Sequence, residues 1–562
     1  MRYGEGHTIY LLGIGGICMS ALARYYHSLG YTIAGYDHTP SPLTRQLEHE
    51  GMAIHYEDKP ELLPALIDFV VYTPAVPKDL KEFEALRQNN IKIMKRSEAL
   101  GLVSEQHFTL AIAGTHGKNG NNYQIKDNVI VFDEPQRIAG QTTMLQFAAE
   151  PMPVVRIGFI GLGMRGPDAV YRMTFIDGVE VVALCDLLPE NVEKVQKEIL
   201  EAKGLPRAAE YVGETAYQQL CERDDIDLVY ICTNWQTHVP MAVSAMQHGK
   251  HVAVEVPAAT SVEDCWKLVD VSEQTRRHCM MLENCTYDFF EMTALNMAKQ
   301  GLFGEVIHGE GAYIHNLEPY WHEYQGNWRL DFNQKHSGDV YATHGLGPIC
   351  QVLDIHRGDK MDYLVSMSTP SYNGKKIAKE MMGTEEFANG DMTTTMIETH
   401  NGKTILIEHN VYTYRPYNRL YQLTGTEGFA NKYPIEGFTL MDKNLPEGFL
   451  AEGQHLNVHG FVPKDVREKI MKEYTHPIAK DIEELAKKVG GHGGMDFIMD
   501  YRLIYCLQNG LPLDEDVYDA AEWSCIGELS AASIENHGLP VKMPDFTRGD
   551  WNKVKGYKHA VK

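Results

Sequence analysis

Residues 154–166 decide the fold of this chain and read Val154-Val155-Arg156-Ile157-Gly158-Phe159-Ile160-Gly161-Leu162-Gly163-Met164-Arg165-Gly166. The apolar run before the glycines predicts a buried strand, and residues 181–185 predict the next strand, which ends at Asp186. In this strand–turn–helix–strand context the glycines form a dinucleotide fingerprint. Gly161 allows the tight turn, Gly163 lets the backbone approach a pyrophosphate, and Gly166 lets the helix pack on the strand. The Asp186 carboxylate can accept hydrogen bonds from the ribose hydroxyls and disfavours a 2′-phosphate, so the predicted cofactor is NAD rather than NADP.

The sequence after this fingerprint predicts a parallel sheet followed by an antiparallel one. Strand-like runs at residues 228–232 and 251–255 flank a helix at 238–248, as a parallel sheet requires. Beyond residue 300 the strand candidates are residues 305–315, 362–369, 392–399, 404–412 and 420–424. Asn401-Gly402 is a hairpin signal between two of them. The predicted helices are residues 482–489, 494–509 and 514–534.

The first part of the chain contains another glycine turn. Gly13-Ile14-Gly15-Gly16 follows a strand-like run at residues 8–12, and a helix at 19–28 and a strand at 31–35 lead to Asp37. Further strand candidates are residues 69–73 and 109–113. The fold class is therefore α/β, with a Rossmann-like N-terminal fragment, then a second Rossmann domain that binds NAD, and an α+β domain with a large, mostly antiparallel sheet.

A polar stretch separates the two Rossmann-like parts. Asn119-Gly120-Asn121-Asn122 opens it, helical periodicity is missing, and only residues 128–132 read as a short strand, so a linker is predicted. The predicted domains are residues 1–118 (Rossmann-like fragment), 119–152 (linker), 153–285 (NAD-binding domain) and 286–562 (substrate-binding α+β domain).

The composition disfavours several classes of partner and location. A net charge of −24, without a run of five or six Lys/Arg, argues against nucleic-acid binding through a basic surface. No apolar stretch reaches the roughly 18 residues that a membrane helix needs. The ten cysteines include no C-x-x-C pair and several lie in apolar runs, which is typical of buried thiols in a reducing compartment. Residues 9–23 are apolar, but Glu5 and internal glycines favour a strand–turn–helix over a signal peptide.

From about residue 153 to its end the chain resembles the Gfo/Idh/MocA oxidoreductase fold and, more specifically, glycoside hydrolase family 109, the NAD-dependent α-N-acetylgalactosaminidases. The matching stretches are Gly161-Leu162-Gly163-Met164-Arg165-Gly166, Thr233-Asn234-Trp235-Gln236-Thr237-His238, Glu255-Val256-Pro257, Met281-Leu282-Glu283-Asn284-Cys285, Tyr341-Ala342-Thr343-His344, Arg415-Pro416-Tyr417 and Gly491-His492-Gly493-Gly494-Met495-Asp496. They occur in order over roughly 400 residues.

One departure from the wider fold distinguishes two activities. Sugar dehydrogenases of this fold usually carry Glu-Lys-Pro, whose lysine transfers a proton, whereas here Val256 follows Glu255. The resemblance implies the hydrolase route: hydride leaves sugar C3 for NAD, the ketone acidifies the C2 proton, elimination expels the glycosidic oxygen, water adds at C1, and hydride returns. That route needs acids and bases with a pKa near the working pH, and not the paired carboxylates of ordinary glycosidases.

The same resemblance implies the residues of the site. The acid/base residues would be His344 and Tyr341, with Tyr417 next. The sugar pocket would consist of Tyr313, Arg329, Tyr341, Ala342, Thr343, His344 and Tyr417. The NAD contacts would come from Gly161, Gly163, Met164, Arg165, Gly166, Asp186, Trp235, Gln236, His238, Glu255, Val256 and Asn284.

Some of these positions keep a second interpretation. His344 lies in a Gly/Thr-rich turn, where a structural role also fits, and Arg329 lies among aromatic residues, where surface stacking also fits. His492, flanked by glycines, fits either the site or a simple turn. Other histidines match no metal-ligand spacing, so no metal site is predicted.

Residues 6–118 resemble the N-terminal domain of UDP-N-acetylmuramate–L-alanine ligase, a Mur ligase. The resemblance rests on residues 7–12, the turn at residues 13–20, Asp37 and the loop Gly114-Thr115-His116-Gly117-Lys118. In that family the first turn holds the UDP part of the substrate, and the later loop holds ATP phosphates and is followed by Thr or Ser. Here Asn119 follows, and only about 35 residues precede the next Rossmann strand, so no ligase activity is predicted.

The leading interpretation is a glycosidase for glycans or small glycosides that end in α-N-acetylgalactosamine, fused to an incomplete ligase fragment. One alternative is an NAD-dependent sugar oxidoreductase, which would accumulate NADH on free sugars. Another is a non-catalytic sugar- or UDP-sugar-binding protein, which the presence of Tyr341, His344 and Tyr417 disfavours. By analogy with the fold, a homodimer would form through the C-terminal sheet. Relatives often begin with an export signal, whose place the ligase fragment takes, so a cytoplasmic location is expected.

Overall fold

The computed structural model describes residues 8–15, 17–73, 76–77, 80–89, 91–96, 99 and 123–559. The chain forms two compact units, Met1–Gly120 and Asn121–Lys562. The predicted strand at residues 109–113, the loop at 114–118 and the polar stretch at 119–122 lie outside the described residues. None of the described helices combines the length and the apolar character that crossing a bilayer requires.

The first unit contains a five-stranded parallel sheet. Its elements are β1 (Thr8–Leu12), α1 (Ile17–Ser28), β2 (Thr32–Tyr36), α2 (Pro42–His49), β3 (Ala53–His55), β4 (Phe69–Tyr72), α3 (Lys81–Gln88) and β5 (Ile93–Lys95). The strands pair in the order β3-β2-β1-β4-β5. Asp37, after β2, accepts a hydrogen bond from the Gly15 N–H at 2.7 Å, so this acidic residue closes on the glycine turn.

The second unit contains a six-stranded parallel sheet with alternating helices. Two strands that belong to another sheet, β6 (Tyr123–Lys126) and β7 (Val129–Phe132), precede it in the chain. The elements of the parallel sheet are β8 (Val155–Ile160), α4 (Gly166–Met173), β9 (Val179–Asp186), α5 (Pro189–Val195), β10 (Ala209–Val212), α6 (Ala216–Cys221), β11 (Leu228–Ile231), α7 (Trp235–Gln247), β12 (His251–Val254), α8 (Val262–Thr275) and β13 (Cys279–Met281). The sheet order is β10-β9-β8-β11-β12-β13. The strand order therefore reverses next to β8, where sheets of this kind bind ligands.

A second sheet of the same unit has ten strands. Its remaining strands are β14 (Val306–Ile314), β15 (Met361–Ser368), β16 (Thr393–Thr399), β17 (Thr404–Asn410), β18 (Tyr421–Gly425), β19 (Gly428–Asn431), β20 (Gly437–Leu440) and β21 (Val541–Lys542). The order is β20-β19-β18-β14-β17-β16-β15-β21-β7-β6. The β14/β17 and β21/β7 pairs are parallel and the other neighbours are antiparallel. The predicted fold class is confirmed.

Helices cover and connect this sheet. They are α9 (Phe289–Lys299), α10 (Trp328–Lys335), α11 (Thr343–Val352), α12 (Asn373–Met382), α13 (Lys464–Glu473), α14 (Pro477–Val489), α15 (Met495–Asn509), α16 (Val517–Ser524) and α17 (Ile526–Glu535). Of these, α11 packs on β14 and α17 packs on β15, while α15 packs on α4 of the parallel-sheet half.

The predicted linker, residues 119–152, differs from the structure over its described part. Residues 123–132 form the hairpin β6–β7, and β7 joins the ten-stranded sheet through the Ile130–Val541 pair. Further on, Arg137 donates to the carboxylate of Glu273, which is fully buried. This segment is therefore part of the second unit. Its first strand gave no apolar signal because β6 lies at the sheet edge with mostly exposed side chains.

Candidate active site

The glycine turn after β8 has the space that a dinucleotide needs. Gly161 has a φ of +90°, and a Cβ on it would lie 2.7 Å from a neighbouring backbone carbonyl. A Cβ on Gly166 would lie 2.0 Å from the carbonyl oxygen of Gly161, whereas a Cβ on Gly163 would meet nothing within 4 Å. The Asp186 carboxylate accepts a 2.6 Å hydrogen bond from a backbone N–H of the turn. The turn is thus tight against the protein and open at Gly163, as a bound pyrophosphate requires.

A cavity of about 210 Å³ brings two predicted sets of residues together. The predicted NAD contacts in its wall are Met164, Arg165, Trp235, His238, Glu255, Val256 and Asn284. The predicted sugar-pocket residues in its wall are Tyr313, Arg329, Tyr341 and His344. The predicted residues outside its wall are Gly161, Gly163, Gly166, Asp186, Gln236, Ala342, Thr343 and Tyr417.

A cluster of charged and polar side chains fixes the cofactor side of the cavity. Arg165 donates to Glu255 and to Asp496, each at 3.2 Å. Asp496 also accepts from the amide of Asn284 at 2.5 Å and faces Nδ1 of His492 at 2.9 Å. Burial acts to raise the pKa of Asp496, but its cationic neighbours hold it well below the usual range. The carboxylate of Asp496 therefore positions three residues of the cavity wall, and His492 belongs to the site rather than to a simple turn.

His238 has a structural role in this wall. Its Nδ1 lies 2.8 Å from the carbonyl oxygen of Pro257 and its Nε2 lies 3.0 Å from that of Thr233. Both ring nitrogens therefore face the backbone. His238 thus connects the carboxyl ends of two adjacent strands, β11 and β12, and fixes the loop that contains Val256.

Close packing of a helix on a strand positions His344. The residue lies in the first turn of α11, not in an irregular turn as its glycine-rich sequence predicted. A Cβ on Gly311 of β14 would lie 2.0 Å from the carbonyl oxygen of Gly345 in α11. Because both contact positions lack side chains, helix and strand approach closely. The ring centroids of His344 and Tyr313 are consequently 5.5 Å apart.

Glu283 determines the tautomer of His344. The residue follows β13, is fully buried, and lies 2.7 and 2.9 Å from Nδ1 of His344 through its two oxygens. A carboxylate accepts hydrogen bonds, so Nδ1 carries the proton and Nε2 is the acceptor. Burial lowers the pKa of His344 below its usual value, although Glu283 opposes this shift. Burial acts to raise the pKa of Glu283, but His344 and a backbone N–H outweigh it and leave the pKa lowered. A neutral histidine beside an ionised carboxylate is the arrangement of a general base.

Aromatic rings enclose the rest of the sugar side. Tyr341 stacks on Trp235 with centroids 5.5 Å apart. The guanidinium carbon of Arg329 lies 4.6 Å from the Tyr341 ring centroid and 5.0 Å from that of Trp235, and Arg329 donates to the Tyr324 hydroxyl at 2.7 Å. Arg329 is 5% exposed, which excludes the surface stacking role. Burial raises the pKa of Tyr341 well above its usual value, so its hydroxyl stays protonated and serves as a donor.

Three predicted sugar contacts lie behind or beside the cavity rather than in its wall. Thr343 is fully buried, and its hydroxyl has no hydrogen-bond partner within the described part of the chain. Ala342 is also buried. Tyr417 is 43% exposed, and its ring lies 4.9 Å from that of His315, which does line the cavity. Direct contact with substrate by these residues therefore stays a prediction.

One group of side chains near the site has metal-ligand character. Ligand atoms of Glu283, Cys285 and His344 lie within 4.8 Å of one another. However, burial raises the pKa of the Cys285 thiol well above its usual value, and Arg419 donates to its sulfur at 3.0 Å. A protonated thiol beside a cation disfavours a bound metal ion.

Known protein families match three parts of the chain. Residues 155–283 match the oxidoreductase family with an NAD-binding Rossmann fold, which confirms the predicted cofactor, NAD. Residues 287–553 match the C-terminal domain of glycosyl hydrolase 109. Residues 8–108 match the Mur ligase family, catalytic domain. The resemblances predicted from the sequence are confirmed.

Individual relatives cover most of the second unit. Glycosyl hydrolase family 109 protein 1 of Bacteroides thetaiotaomicron is 60% identical over 438 residues, which are 77% of this chain and 94% of that protein. A family 109 protein of Porphyromonas gingivalis is 59% identical over 435 residues, 77% of this chain and 93% of that protein. The solved structure of an NAD binding oxidoreductase from Klebsiella pneumoniae aligns with a TM-score of 0.53 at 16% identity, over 70% of this chain and all of that one, which is a likeness of fold. From the identity to its relatives over nearly their whole length, the chain belongs to glycosyl hydrolase family 109.

Proposed function

We propose that this protein is a glycosidase that releases terminal α-N-acetylgalactosamine by a redox-neutral route with NAD. The observation that carries the proposal is that His344, which is paired with the buried Glu283 behind it, lines the same cavity as the Arg165–Glu255 pair of the dinucleotide side. A base and a nucleotide-binding wall in one cavity favour oxidation and proton abstraction on the same sugar.

Each residue of the sugar side has a role in this proposal. NAD, when bound, supplies a reversible hydride acceptor. His344, neutral because burial lowers its pKa, takes the C2 proton at Nε2. Tyr341, whose raised pKa keeps it protonated, donates a hydrogen bond to the leaving oxygen. Arg329, enclosed by aromatic rings, holds sugar oxygens through its remaining N–H groups.

The carboxylates of the cavity do not suit ordinary hydrolysis. Hydrolysis with an acid and a nucleophile or base needs two carboxyl groups that flank the scissile bond. Among the described residues of the wall the carboxylates are Glu255, which pairs with Arg165, and Glu323, which is exposed on a short helical turn. This arrangement favours the redox-neutral route.

The test is to follow p-nitrophenol release from the α-N-acetylgalactosaminide together with NADH absorbance. Steady release without net NADH is expected, because the hydride returns to the sugar in each turnover. Net NADH formation on free sugars, without p-nitrophenol release, would instead assign the chain to the sugar oxidoreductases. Failure of both assays with folded, NAD-loaded protein would refute enzymatic activity on these sugars.

We also propose that two copies associate through the outer face of the ten-stranded sheet. On β15, Tyr363 and Met367 are 41% and 67% exposed, and Met396 on neighbouring β16 is 44% exposed. Clustered exposed apolar side chains favour a protein interface. The double change Met367→Glu and Met396→Glu is expected to lower the mass measured by light scattering from a dimer to a monomer. A monomeric parent protein would contradict the proposal.

A further inference from the structure

A third arginine, Arg419, lies in the cavity wall beside Arg165 and Arg329, and the sequence does not predict it. It lies just before β18, is 7% exposed, and its Nη1 donates to the sulfur of Cys285 at 3.0 Å. Its Nε is buried and has no hydrogen-bond partner in the part of the chain that the structure describes. Buried polar atoms are normally paired, so this guanidinium has donors available for a ligand in the cavity.

In the described part of the chain Arg419 has no carboxylate of its own, because the buried Glu283, whose pKa the Arg419 charge helps to lower, is hydrogen-bonded to His344. Of the other charged groups here, Arg165 pairs with Glu255 and Asp496, and Glu283 pairs with His344. Among the ion pairs of the described residues, none includes Arg419.

The rings near this arginine do not compensate its burial. The Arg419 guanidinium carbon lies 5.9 Å from the Tyr313 ring centroid and 5.7 Å from that of Tyr417. Cation–π contacts at such distances are weak compared with the cost of burying an unpaired charge. The site is therefore prepared for negative charge that arrives with the substrate or develops on it.

The proposed function supplies such a charge on the sugar itself. After oxidation at C3, removal of the C2 proton by His344 breaks the C2–H bond, and its electron pair moves onto the C3 oxygen. The negative charge disappears again when the C1–O1 bond breaks and the leaving oxygen takes a proton. We propose that Arg419 is a catalytic residue that donates hydrogen bonds to the C3 oxygen while it carries this charge, an inference that rests on the proposed function.

The electrostatics around Arg419 agree with a site for an oxyanion. Burial, together with the charges of Arg419 and Arg329, lowers the pKa of His315 to about 4. The charge of Arg419 also contributes to the lowered pKa of His344. His315 and His344 are therefore neutral at pH 7, and the cations on the sugar side of the cavity are the guanidinium groups of Arg329 and Arg419.

The experiment compares Arg419→Gln with Arg415→Gln in the full-length, NAD-loaded protein. Arg415 lies in the same segment, is exposed, and is absent from the cavity wall, so it is the matched control. The probe is p-nitrophenyl α-N-acetylgalactosaminide, which carries no negative charge of its own. Three rates are measured: reduction of the bound cofactor at 340 nm, exchange of the C2 hydrogen in D₂O, and release of p-nitrophenol.

Arg419→Gln is expected to slow C2 exchange and p-nitrophenol release about 100-fold or more, the usual effect of removing an oxyanion donor, while cofactor reduction changes far less. Arg419→Lys keeps the positive charge without the planar guanidinium, and its rates of C2 exchange and p-nitrophenol release are expected to lie between those of the parent protein and Arg419→Gln. Circular dichroism and thermal melting establish that each variant is folded.

Other results would contradict either the role of Arg419 alone or the proposed function as a whole. If C2 exchange in Arg419→Gln and Arg419→Lys equals that of the parent, or if all three rates fall together, Arg419 does not stabilise the oxyanion, and the proposed function is unaffected. If the parent protein itself shows no C2 exchange, the proposed function fails, and the role given to Arg419 fails with it.

Discussion

At the scale of single residues, Glu283 controls the state of His344. The carboxylate contacts Nδ1 at 2.7 Å, so Nε2 is left as the acceptor. Glu283→Gln removes the charge and lets an amide N–H face Nδ1, which favours the wrong tautomer. We expect kcat to fall about 100-fold, within the range for acid–base groups.

The pH dependence distinguishes this role from a structural one. Glu283 acts to raise the pKa of His344, whereas burial, Arg419 and His492 act to lower it. Removing the carboxylate therefore lowers the pKa of His344, and the acidic limb of the kcat/KM profile, measured over about pH 4 to 9, should move to lower pH. Glu318→Gln, an exposed change, is the control. An unshifted acidic limb would rule out this control by Glu283.

The sequence predicted part of this site and missed another part for a physical reason. His344, Tyr341, Tyr313 and Arg329 follow from resemblance, and the structure places them in one cavity. Glu283 is 61 residues from His344 along the chain, and nothing local indicates that the two pair. Two signals were available: Glu283 stands in a stretch that matches the family, and it directly follows an apolar run, where a carboxylate must find a partner once it is buried.

At the scale of elements, the contact of α11 with β14 determines where His344 lies. Gly311→Ala would place a Cβ 2.0 Å from the carbonyl oxygen of Gly345, so the backbone must shift. We expect the free energy of unfolding to fall by about 1–3 kcal/mol. We also expect kcat to fall, because His344 moves with the helix. Urea unfolding and steady-state kinetics measure both. Gly527→Ala in α17, whose Cβ would meet nothing closer than 3.5 Å, should leave kcat unchanged and should not lower the free energy of unfolding, and an equal loss there would contradict the explanation.

The same helix shows where local sequence reasoning failed. Residues 343–352 contain Gly345, Gly347 and Pro348, which disfavour a helix, and a turn was predicted. All ten residues are buried, and packing against β14 outweighs the weak propensity. The strands were easier, because buried runs such as β8 and β11 are continuously apolar. The predicted helix at 514–534 is two helices, and the first begins at Val517 because Asp516 caps it.

At the scale of the whole molecule, the polar segment at residues 123–152 is a structural part of the second unit. Its hairpin extends the ten-stranded sheet. The carbonyl oxygen of Pro135 accepts from Arg548 at 2.8 Å, and the N–H of Met144 donates to the Tyr518 hydroxyl at 2.9 Å. The side chains of Ile130, Phe132 and Met144 are buried in the main hydrophobic core. The second unit therefore includes these residues in its core, although they precede the glycine fingerprint.

Removing this segment should consequently be more harmful than removing the first unit. We expect a fragment of residues 121–562 to keep the kcat and melting temperature of the full chain, and a fragment of residues 153–562 to aggregate or melt many degrees lower. In the 121–562 fragment, Arg137→Ala should lower the free energy of unfolding by about 1–3 kcal/mol, the range for leaving a buried polar group short of a partner. The buried Glu273 carboxylate would lose its 2.8 Å ion pair with Arg137 and would keep the one with Arg548. Lys126→Ala, an exposed change on β6, is the control in the same hairpin. Loss of Ile130, Phe132 and Met144 would leave cavities in the core, and such cavities lower stability. A stable, active 153–562 fragment would therefore show that the core does not depend on these side chains and would contradict the structural role of the segment.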